Sequence, residues 1–276
     1  MAYQFLGPST MSEATEILDS YEDVKILAGG TDLLILLKDR VITCRYVMDI
    51  KKIPELNVLV KKGNGLEIAA AVNLNKVLSS ALTGEAFSAL RDSAAAHANS
   101  LLRNRATLVG NICNASPGGD MIPAALVLDG TLEAVCAQGS RQIPLREFFT
   151  GVKKHVLRKN ELVTKITFPP KKGKSLYLKK KRIKGHDLAQ VGLAAFWADS
   201  GELSIAVGSA APTPVLVSGL GPFDRKTLAG SRAGIENEVL SRINPITDAR
   251  SSREYRIAMV KYFIGQIILK WTGEGL

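Results

Sequence analysis

Short apolar segments separated by glycine, proline and polar residues organise the first part of the chain. They predict four elements in succession: a helix capped by Thr10 or Ser12, a strand at Val24–Ala28, a helix at Leu33–Lys38 and a strand at Tyr46–Ile50. Two glycines separate the first strand from the second helix. This pattern indicates a small α/β unit that ends near Pro54.

Shorter strands alternate with helices from Leu56 onward. Asn-Gly is a strong hairpin signal, and here it joins Asn57–Lys61 to Leu66–Ala70. The pattern predicts further elements: helices at Leu74–Ser80 and Glu85–Ala98, a hairpin of Thr131–Ala137 with Arg141–Pro144, and a strand at Glu161–Phe168. This part of the chain therefore mixes helices with antiparallel strands.

The segment Pro169–Gly173 is the clearest boundary in the sequence, because two prolines, two lysines and a glycine interrupt both kinds of periodicity. Beyond it the pattern predicts an antiparallel sheet of Ser175–Arg182, Val191–Ala198, Glu202–Ser209 and Pro214–Val217, then helices at Ser231–Ser241 and about Arg253–Trp271. The last helix has six apolar or aromatic residues that we interpret as core: Tyr255, Met259, Tyr262, Phe263, Ile267 and Leu269.

The chain has a formal net charge of +10, and much of it lies between Lys153 and Lys184. Three interpretations are open: a solvated basic face, attraction for an anionic cofactor or acidic partner subunit, or binding of nucleic acid. Tyr177 is the only aromatic residue among the clustered lysines, and no helix-turn-helix, zinc-finger or RNA-binding motif is present. We therefore expect no nucleic-acid partner.

Cysteine usage and known motifs exclude several classes. Cys44, Cys113 and Cys136 are widely spaced, so neither a disulfide framework nor a metal site is expected. No apolar run approaches the roughly 18 residues of a membrane span, and no secretion signal is visible, which favours a reducing cytoplasm. The Rossmann, Walker A and GxSxG patterns are absent. The three histidines are scattered, and no catalytic constellation is predicted.

The glycine pair Gly29-Gly30 is the first feature with chemical meaning. Glycine tolerates positive φ and close approach of another group, and Thr31 or Asp32 is a plausible N-cap for the following helix. Free N–H groups at such a turn bind anions, most often a phosphate. Strand–glycine–helix turns also occur as plain architecture, so both interpretations stay open for this turn alone.

A second stretch, Arg103–Asp129, has a similar form. An apolar segment that we predict to be extended leads to Gly110, small polar residues follow, and Asp120 caps a predicted helix from about Ile122 to Leu128. Two turns of this kind could hold the two phosphates of a dinucleotide from opposite sides.

The two stretches together resemble a known family. AGGTDL (28–33), followed about 75 residues later by RATLVGNICNASPGGDMIPAALVLD (105–129), is similar to the FAD-binding medium subunit of the molybdenum hydroxylases, the xanthine dehydrogenase and carbon monoxide dehydrogenase type. The similarity extends through YLKKKRIKGHDLAQVGLAA (177–195), APTP (211–214) and INPITDARSSREYR (243–256). The matched motifs occur in the family's order along nearly the whole chain.

The resemblance implies an α+β fold with a two-part FAD-binding domain at residues 1–170, of the vanillyl-alcohol-oxidase type. Its two small α/β subdomains would span about 1–54 and 55–170. Residues 171–276 would form a C-terminal α+β domain on a small antiparallel sheet. The scarce cysteines argue against the iron–sulfur insertion that some relatives carry.

Seventeen residues are implied as the FAD site by position-by-position transfer. They are Ile26, Leu27, Ala28, Gly29, Gly30, Thr31, Asp32 and Leu33 at the first turn, Thr107, Leu108, Val109, Gly110 and Asn111 at the second, and His97, Asp120, Thr164 and Lys179 elsewhere. Val109 replaces a family glycine, and a β-branched residue disfavours positive φ. Either the backbone there is not left-handed, or the turn shifts and holds FAD less tightly.

The family resemblance implies an electron-transfer subunit. A large molybdenum-cofactor subunit would oxidise the substrate, a small [2Fe–2S] subunit would pass electrons to FAD on this chain, and NAD or another acceptor would take them. Two alternatives remain: a stand-alone flavin-dependent NAD(P)H oxidoreductase, or a basic binding module that has lost FAD. The chain itself would supply no acid–base catalyst for the substrate.

Overall fold

The computed structural model describes residues 3–273. The strands in this part of the chain are β1 Gln4–Leu6, β2 Val24–Leu27, β3 Tyr46–Asp49, β4 Leu59–Lys62, β5 Gly65–Ala69, β6 Thr131–Cys136, β7 Gly139–Pro144, β8 Phe149–Gly151, β9 Lys154–His155, β10 Leu162–Phe168, β11 Gly173–Lys180, β12 Val191–Ala198, β13 Leu203–Gly208 and β14 Val215–Leu220. The α-helices there are α1 Met11–Ser20, α2 Leu33–Lys38, α3 Leu74–Ser79, α4 Ser88–Ala96, α5 Ser100–Arg103, α6 Leu108–Cys113, α7 Met121–Val127, α8 Arg225–Gly230, α9 Arg232–Arg242 and α10 Arg253–Thr272. Single turns of 3₁₀-helix occur at Pro54–Asn57, Ala81–Thr83, Glu85–Phe87 and Leu145–Glu147.

The first unit is a three-stranded parallel sheet in the order β1-β3-β2. Strands β2 and β3 were predicted, whereas β1 was not. Helix α1 begins where Thr10 accepts a hydrogen bond from the Glu13 N–H at 3.2 Å, which satisfies one of the unpaired N–H groups of the first turn. Ala14 and Leu18 on this helix are buried. The α/β unit predicted near the N-terminus is therefore present.

The second unit is a five-stranded antiparallel sheet in the order β4-β5-β10-β6-β7. Helices α3, α4, α6 and α7 contribute buried residues to the same hydrophobic core as this sheet. At the β4–β5 hairpin, Gly65 lies so close to β10 that a Cβ there would stand 2.3 Å from the Phe168 carbonyl oxygen. The strand pair that the Asn-Gly signal predicted, β4 and β5, therefore forms one edge of this sheet.

The third unit is a four-stranded antiparallel sheet in the order β11-β12-β13-β14, which begins at Gly173, the last residue of the predicted boundary segment. Alternate residues of β12 face opposite sides: Ala194 and Phe196 join the core that includes α4 and α7. Leu193 and Trp197 join a second core with α8, α9 and α10. The sheet is thus buried on both faces, and the α+β class is confirmed.

The buried face of α10 differs from the one predicted. Phe263 and Ile267 are buried as expected, but Tyr255 is 39% exposed and Tyr262 is 52% exposed. These two tyrosines are seven residues apart and therefore lie on the same side of a helix, the side that faces away from the sheet. Val260, Ile264, Ile268 and Trp271 complete the buried stripe instead.

A buried arginine anchors the start of α10. Arg256 is 2% exposed, and its guanidinium donates to the Gln190 and Ser209 carbonyl oxygens and, at 2.7 Å, to Asp248 Oδ1. Burial alone raises the pKa of Asp248, but hydrogen bonds from Arg250 and the charges of both arginines outweigh it and lower that pKa to about 2. Arg256 therefore ties the start of α10 to Asp248 and to the residues that flank β12 and β13.

Candidate functional site

A cleft of about 980 Å³ lies between the first two units. Residues of both units line it: 28–33 and Ile50 are among those of the first unit, and Ala70, His97, Ala106, Thr107, 109–111 and Lys153 are among those of the second. This volume is at the upper end of the range of small-molecule and cofactor sites, roughly 300–1,000 Å³. The cleft is large enough for an extended ligand.

The Gly29-Gly30 turn forms part of one wall, where the absence of a side chain on Gly29 lets two backbone segments meet. A Cβ on Gly29 would lie 2.3 Å from the Arg105 carbonyl oxygen and 2.9 Å from Ala106 Cα. Gly30 has φ +75, which glycine adopts without the strain of other residues. The turn after β2 therefore lies directly against the segment that leads into α6, although the two are far apart in sequence.

Four consecutive backbone N–H groups, from Gly29 to Asp32, have no hydrogen-bond acceptor among residues 3–273. All four residues line the cleft. Asp32 occupies the N-cap position of α2 but makes no side-chain capping hydrogen bond. The prediction that Thr31 or Asp32 caps this helix through its side chain is therefore wrong. The N–H groups are left for an acceptor from outside the chain, and successive main-chain N–H groups of this kind bind anionic oxygens.

The second turn is helical, whereas the sequence predicted an extended segment. Thr107 caps α6, and its Oγ1 accepts a hydrogen bond from the Gly110 N–H at 3.0 Å. Val109 lies inside α6 with a right-handed backbone, which is the first of the two alternatives considered for this residue. Its β-branched side chain is therefore compatible with the turn. A Cβ on Gly110 would meet Thr107 Oγ1 at 2.7 Å and Ala28 Cβ at 3.9 Å.

Asn111 connects α6 to α7, since its Oδ1 accepts a hydrogen bond from the Met121 N–H at 3.1 Å. Twelve of the seventeen candidate residues line the cleft: Ile26, Ala28, Gly29, Gly30, Thr31, Asp32, Leu33, His97, Thr107, Val109, Gly110 and Asn111. The tertiary structure therefore brings both predicted turns to one site.

Five candidates do not line the cleft. Leu27 and Leu108 are buried core residues. Thr164 lies in β10, where its hydroxyl donates to Glu133 Oε2 at 2.8 Å, and its carbonyl oxygen accepts from the N–H of Ala70, a cleft residue. Asp120 and Lys179 lie behind the cleft wall.

Asp120 is the centre of a buried polar cluster. Its carboxylate contacts His97 Nδ1 at 2.8 Å, Lys179 Nζ at 2.9 Å and the Tyr177 hydroxyl at 3.1 Å. Asp120 occupies the N-cap position of α7 but makes no capping hydrogen bond, so the predicted cap is replaced by these side-chain contacts. Through His97 the cluster reaches the cleft.

Sequence reasoning missed a basic part of the cleft wall and one member of the polar cluster. Lys153, Arg158 and Lys159 line the cleft, although they were considered only as part of a long basic stretch. Glu161 organises this wall: it accepts from the Arg141 guanidinium at 2.7 and 2.9 Å and from the Arg158 N–H at 2.7 Å. The hydrogen bond from Arg141 outweighs burial and lowers the pKa of Glu161.

Tyr177 lies in one of the matched family motifs, and nothing in that motif predicted its contact with Asp120. Local sequence offered no signal for the Glu161–Arg141 contact or the Tyr177–Asp120 contact, because the partners in each pair are far apart along the chain.

Among residues 3–273, no group of three or more His, Cys, Asp or Glu residues could hold a metal ion. None of the helices in this part of the chain has the length and apolar character of a membrane span.

These features define a class of protein: an α+β chain with a dinucleotide-sized cleft, two glycine turns that line it and unpaired N–H groups at the first of these turns. Residues 1–171 match the family model described as the FAD binding domain in molybdopterin dehydrogenase. The chain belongs to this family, the FAD-binding medium subunits of the molybdenum hydroxylases, and its cofactor is FAD.

Individual relatives agree with this assignment. The chain is 30% identical to the xanthine dehydrogenase FAD-binding subunit of Escherichia coli O157:H7 over 274 residues, 94% of this chain and 92% of that protein. It is 29% identical to the glyceraldehyde dehydrogenase medium chain of Sulfolobus acidocaldarius, covering 94% of each chain.

Solved structures show the same fold. Carbon monoxide dehydrogenase from Hydrogenophaga pseudoflava, in a form that lacks the Mo-pyranopterin moiety, matches with a TM-score of 0.85 at 26% identity over 96% of this chain and 95% of that one. Reconstituted carbon monoxide dehydrogenase from Oligotropha carboxidovorans matches with a TM-score of 0.85 at 25% identity over the same shares. The chain is thus an oxidoreductase subunit.

Proposed function

We propose that this chain is the electron-transfer subunit of a heterotrimeric molybdenum hydroxylase. A small partner subunit with [2Fe–2S] clusters supplies electrons to FAD held here, and NAD or another acceptor removes them. A large molybdenum-cofactor subunit oxidises the substrate. The observation that carries the proposal is the pair of turns at Gly29–Asp32 and Thr107–Asn111, which face one cleft.

The residues present suit a dinucleotide with a diphosphate at its centre. Four unpaired N–H groups at Gly29–Asp32 supply donors, and Gly29 lets this turn pack against the backbone of Arg105 and Ala106 beside the cleft. Lys153, Arg158 and Lys159, which line the same cleft, provide positive charge. FAD supplies the redox chemistry, while the protein positions it and excludes competing reactions.

The seventeen candidate residues divide into two proposed roles. The twelve that line the cleft contact the cofactor directly. Asp120, Lys179 and Thr164 support cleft residues from behind, while Leu27 and Leu108 hold the two turns by core packing. We also propose that residues 1–170 and 171–276 are separate domains, because the sheet changes between β10 and β11.

The relatives support the existence of partner subunits, since they are named medium chains or FAD-binding subunits of dehydrogenases. Co-expression of this chain with candidate molybdenum and [2Fe–2S] subunits from the same genome tests the assembly. A complex that contains all three chains, and whose flavin is reduced on adding substrate, is the expected result. A chain that purifies without partners and whose flavin is reduced only by NAD(P)H would favour the stand-alone oxidoreductase.

Cofactor binding is tested on the purified chain by its absorption spectrum before and after incubation with FAD and gel filtration. We expect the absorption bands of a bound flavin in a one-to-one ratio with protein. A colourless chain that also fails to retain added FAD would refute the proposal.

A further inference from the structure

A buried carboxylate lies directly behind a side chain that lines the cleft. Asp120 is 4% exposed, and His97 Nδ1 lies 2.8 Å from its Oδ2. The imidazole of His97 is part of the cleft wall. A ring that can donate or accept a hydrogen bond therefore stands between an internal charge and the cofactor cleft.

Asp120 acts as an acceptor towards its two other partners. Lys179 Nζ, on a side chain that is 3% exposed, lies 2.9 Å from Oδ2, and an ammonium group can only donate. Burial, followed by the charge of Asp120, raises the pKa of Tyr177 well above its ordinary value, so the phenol keeps its proton and donates to Oδ1. The carboxylate therefore receives hydrogen bonds, and His97 must present Nδ1–H to it.

A neutral imidazole carries one N–H, so Nδ1–H leaves a lone pair on Nε2. No residue among 3–273 makes a hydrogen bond with Nε2 of His97. The nearest cation on the neighbouring helix, Arg103, donates at 2.9 Å to the backbone oxygen of His97 and not to the ring. Nε2 is therefore left for a donor from outside the chain.

We propose that Asp120, held by Tyr177 and Lys179, fixes His97 in the Nδ1–H tautomer, so that Nε2 accepts a hydrogen bond from an N–H or O–H group of bound FAD. His97 is a binding residue, and Asp120 is a positioning residue that acts through it. The inference rests on the proposed function.

Long-range ¹H–¹⁵N NMR on the full chain, labelled at its histidines, measures the tautomer without any cofactor. The spectrum of His97→Phe identifies the resonances of His97, since the sequence has only three histidines. We expect Nδ1–H for neutral His97 in the wild type and loss of that preference in Asp120→Asn. Addition of FAD should move the Nε2 resonance upfield. An Nε2–H tautomer in the wild type, or an Nε2 resonance that FAD leaves unchanged, would overturn the inference.

FAD titrations of matched variants provide the second test. Loss of one neutral hydrogen bond in His97→Phe should weaken FAD binding by about 2- to 12-fold. His97→Gln carries an amide oxygen near the position of Nε2 and should stay within about 2-fold of the wild type on the same scale. His186→Phe, at an exposed loop residue, should bind FAD as the wild type does. Equal affinities of the Phe and Gln variants at His97 would contradict the acceptor role.

The two tests separate this inference from the proposed function. A wild-type chain that takes up no FAD refutes the proposed function and the contact to FAD together. A chain that binds FAD, but whose His97 has the other tautomer, leaves the proposed function intact and refutes only the role of Asp120.

Discussion

Gly29→Ala is expected to abolish FAD binding because the added methyl group separates the two turns. The new Cβ would lie 2.3 Å from the Arg105 carbonyl oxygen and 2.9 Å from Ala106 Cα, both of which are backbone atoms. Backbone cannot rotate away as a side chain can, so the turn itself must move. Overpacking of this kind costs about 1–3 kcal/mol of unfolding free energy.

The consequence for binding follows from the size of the movement. Restoring a normal contact of about 3.4 Å from 2.3 Å needs a shift of roughly 1 Å. Hydrogen bonds to a diphosphate near 2.9 Å would then stretch beyond the range of about 2.7–3.2 Å. Loss of two bonds to a charged acceptor, at about 1.5 kcal/mol each, corresponds to at least about a 100-fold higher Kd.

Gly65→Ala is a matched control. Its Cβ would also lie 2.3 Å from a backbone carbonyl oxygen, that of Phe168, and Gly65 does not line the cleft. Urea denaturation should show similar losses of stability in both variants, whereas FAD titration should show a large loss only for Gly29→Ala. If Gly29→Ala binds FAD within about 3-fold of the wild type, less than 1 kcal/mol, the two turns do not hold the cofactor together.

Two further predictions concern stability. Thr107→Ala removes the acceptor of the Gly110 N–H and should lower the unfolding free energy by about 1 kcal/mol in urea denaturation, while Thr107→Ser retains it; equal losses would rule out the hydroxyl as the cap. The folded-state pKa of Asp248, about 2, lies below its ordinary value of 3.8, so its pairing stabilises the fold above about pH 4 and this contribution disappears as the pH falls to 2. The wild type should exceed Asp248→Asn by about 2 kcal/mol near neutral pH, and urea denaturation from pH 7 to 2 should show the gap closing; a pH-independent gap would contradict this reasoning.

Much of the fold could be predicted from local patterns. The Asn-Gly hairpin, the α/β unit at the start and the break at Pro169–Gly173 all depend on residues close together in sequence. Helix α6 was missed, because Leu108-Val109 is an apolar pair too short for periodicity to distinguish helix from strand. In the structure, Thr107 caps this segment and stabilises it as a helix.

Burial was harder to predict than secondary structure. Tyr255 and Tyr262 have the spacing of a helix face, yet they lie on the exposed side of α10, and the charged Arg256 is buried. Hydrophobicity alone favoured the tyrosines. The carbonyl oxygens of Gln190 and Ser209, which accept hydrogen bonds from Arg256, come from distant strands and could not be foreseen.

The sequence by itself determined the turn residues, the alternation of the strands and the order of the motifs, because each depends on neighbours within a few positions. Only the tertiary structure decided that Gly29 packs against Arg105, that Asp120 joins Tyr177 and Lys179 behind His97, and that Lys153 and Arg158 face the cleft. These contacts join segments that are tens of residues apart. They form only when distant elements share a core, and local periodicity carries no record of that packing.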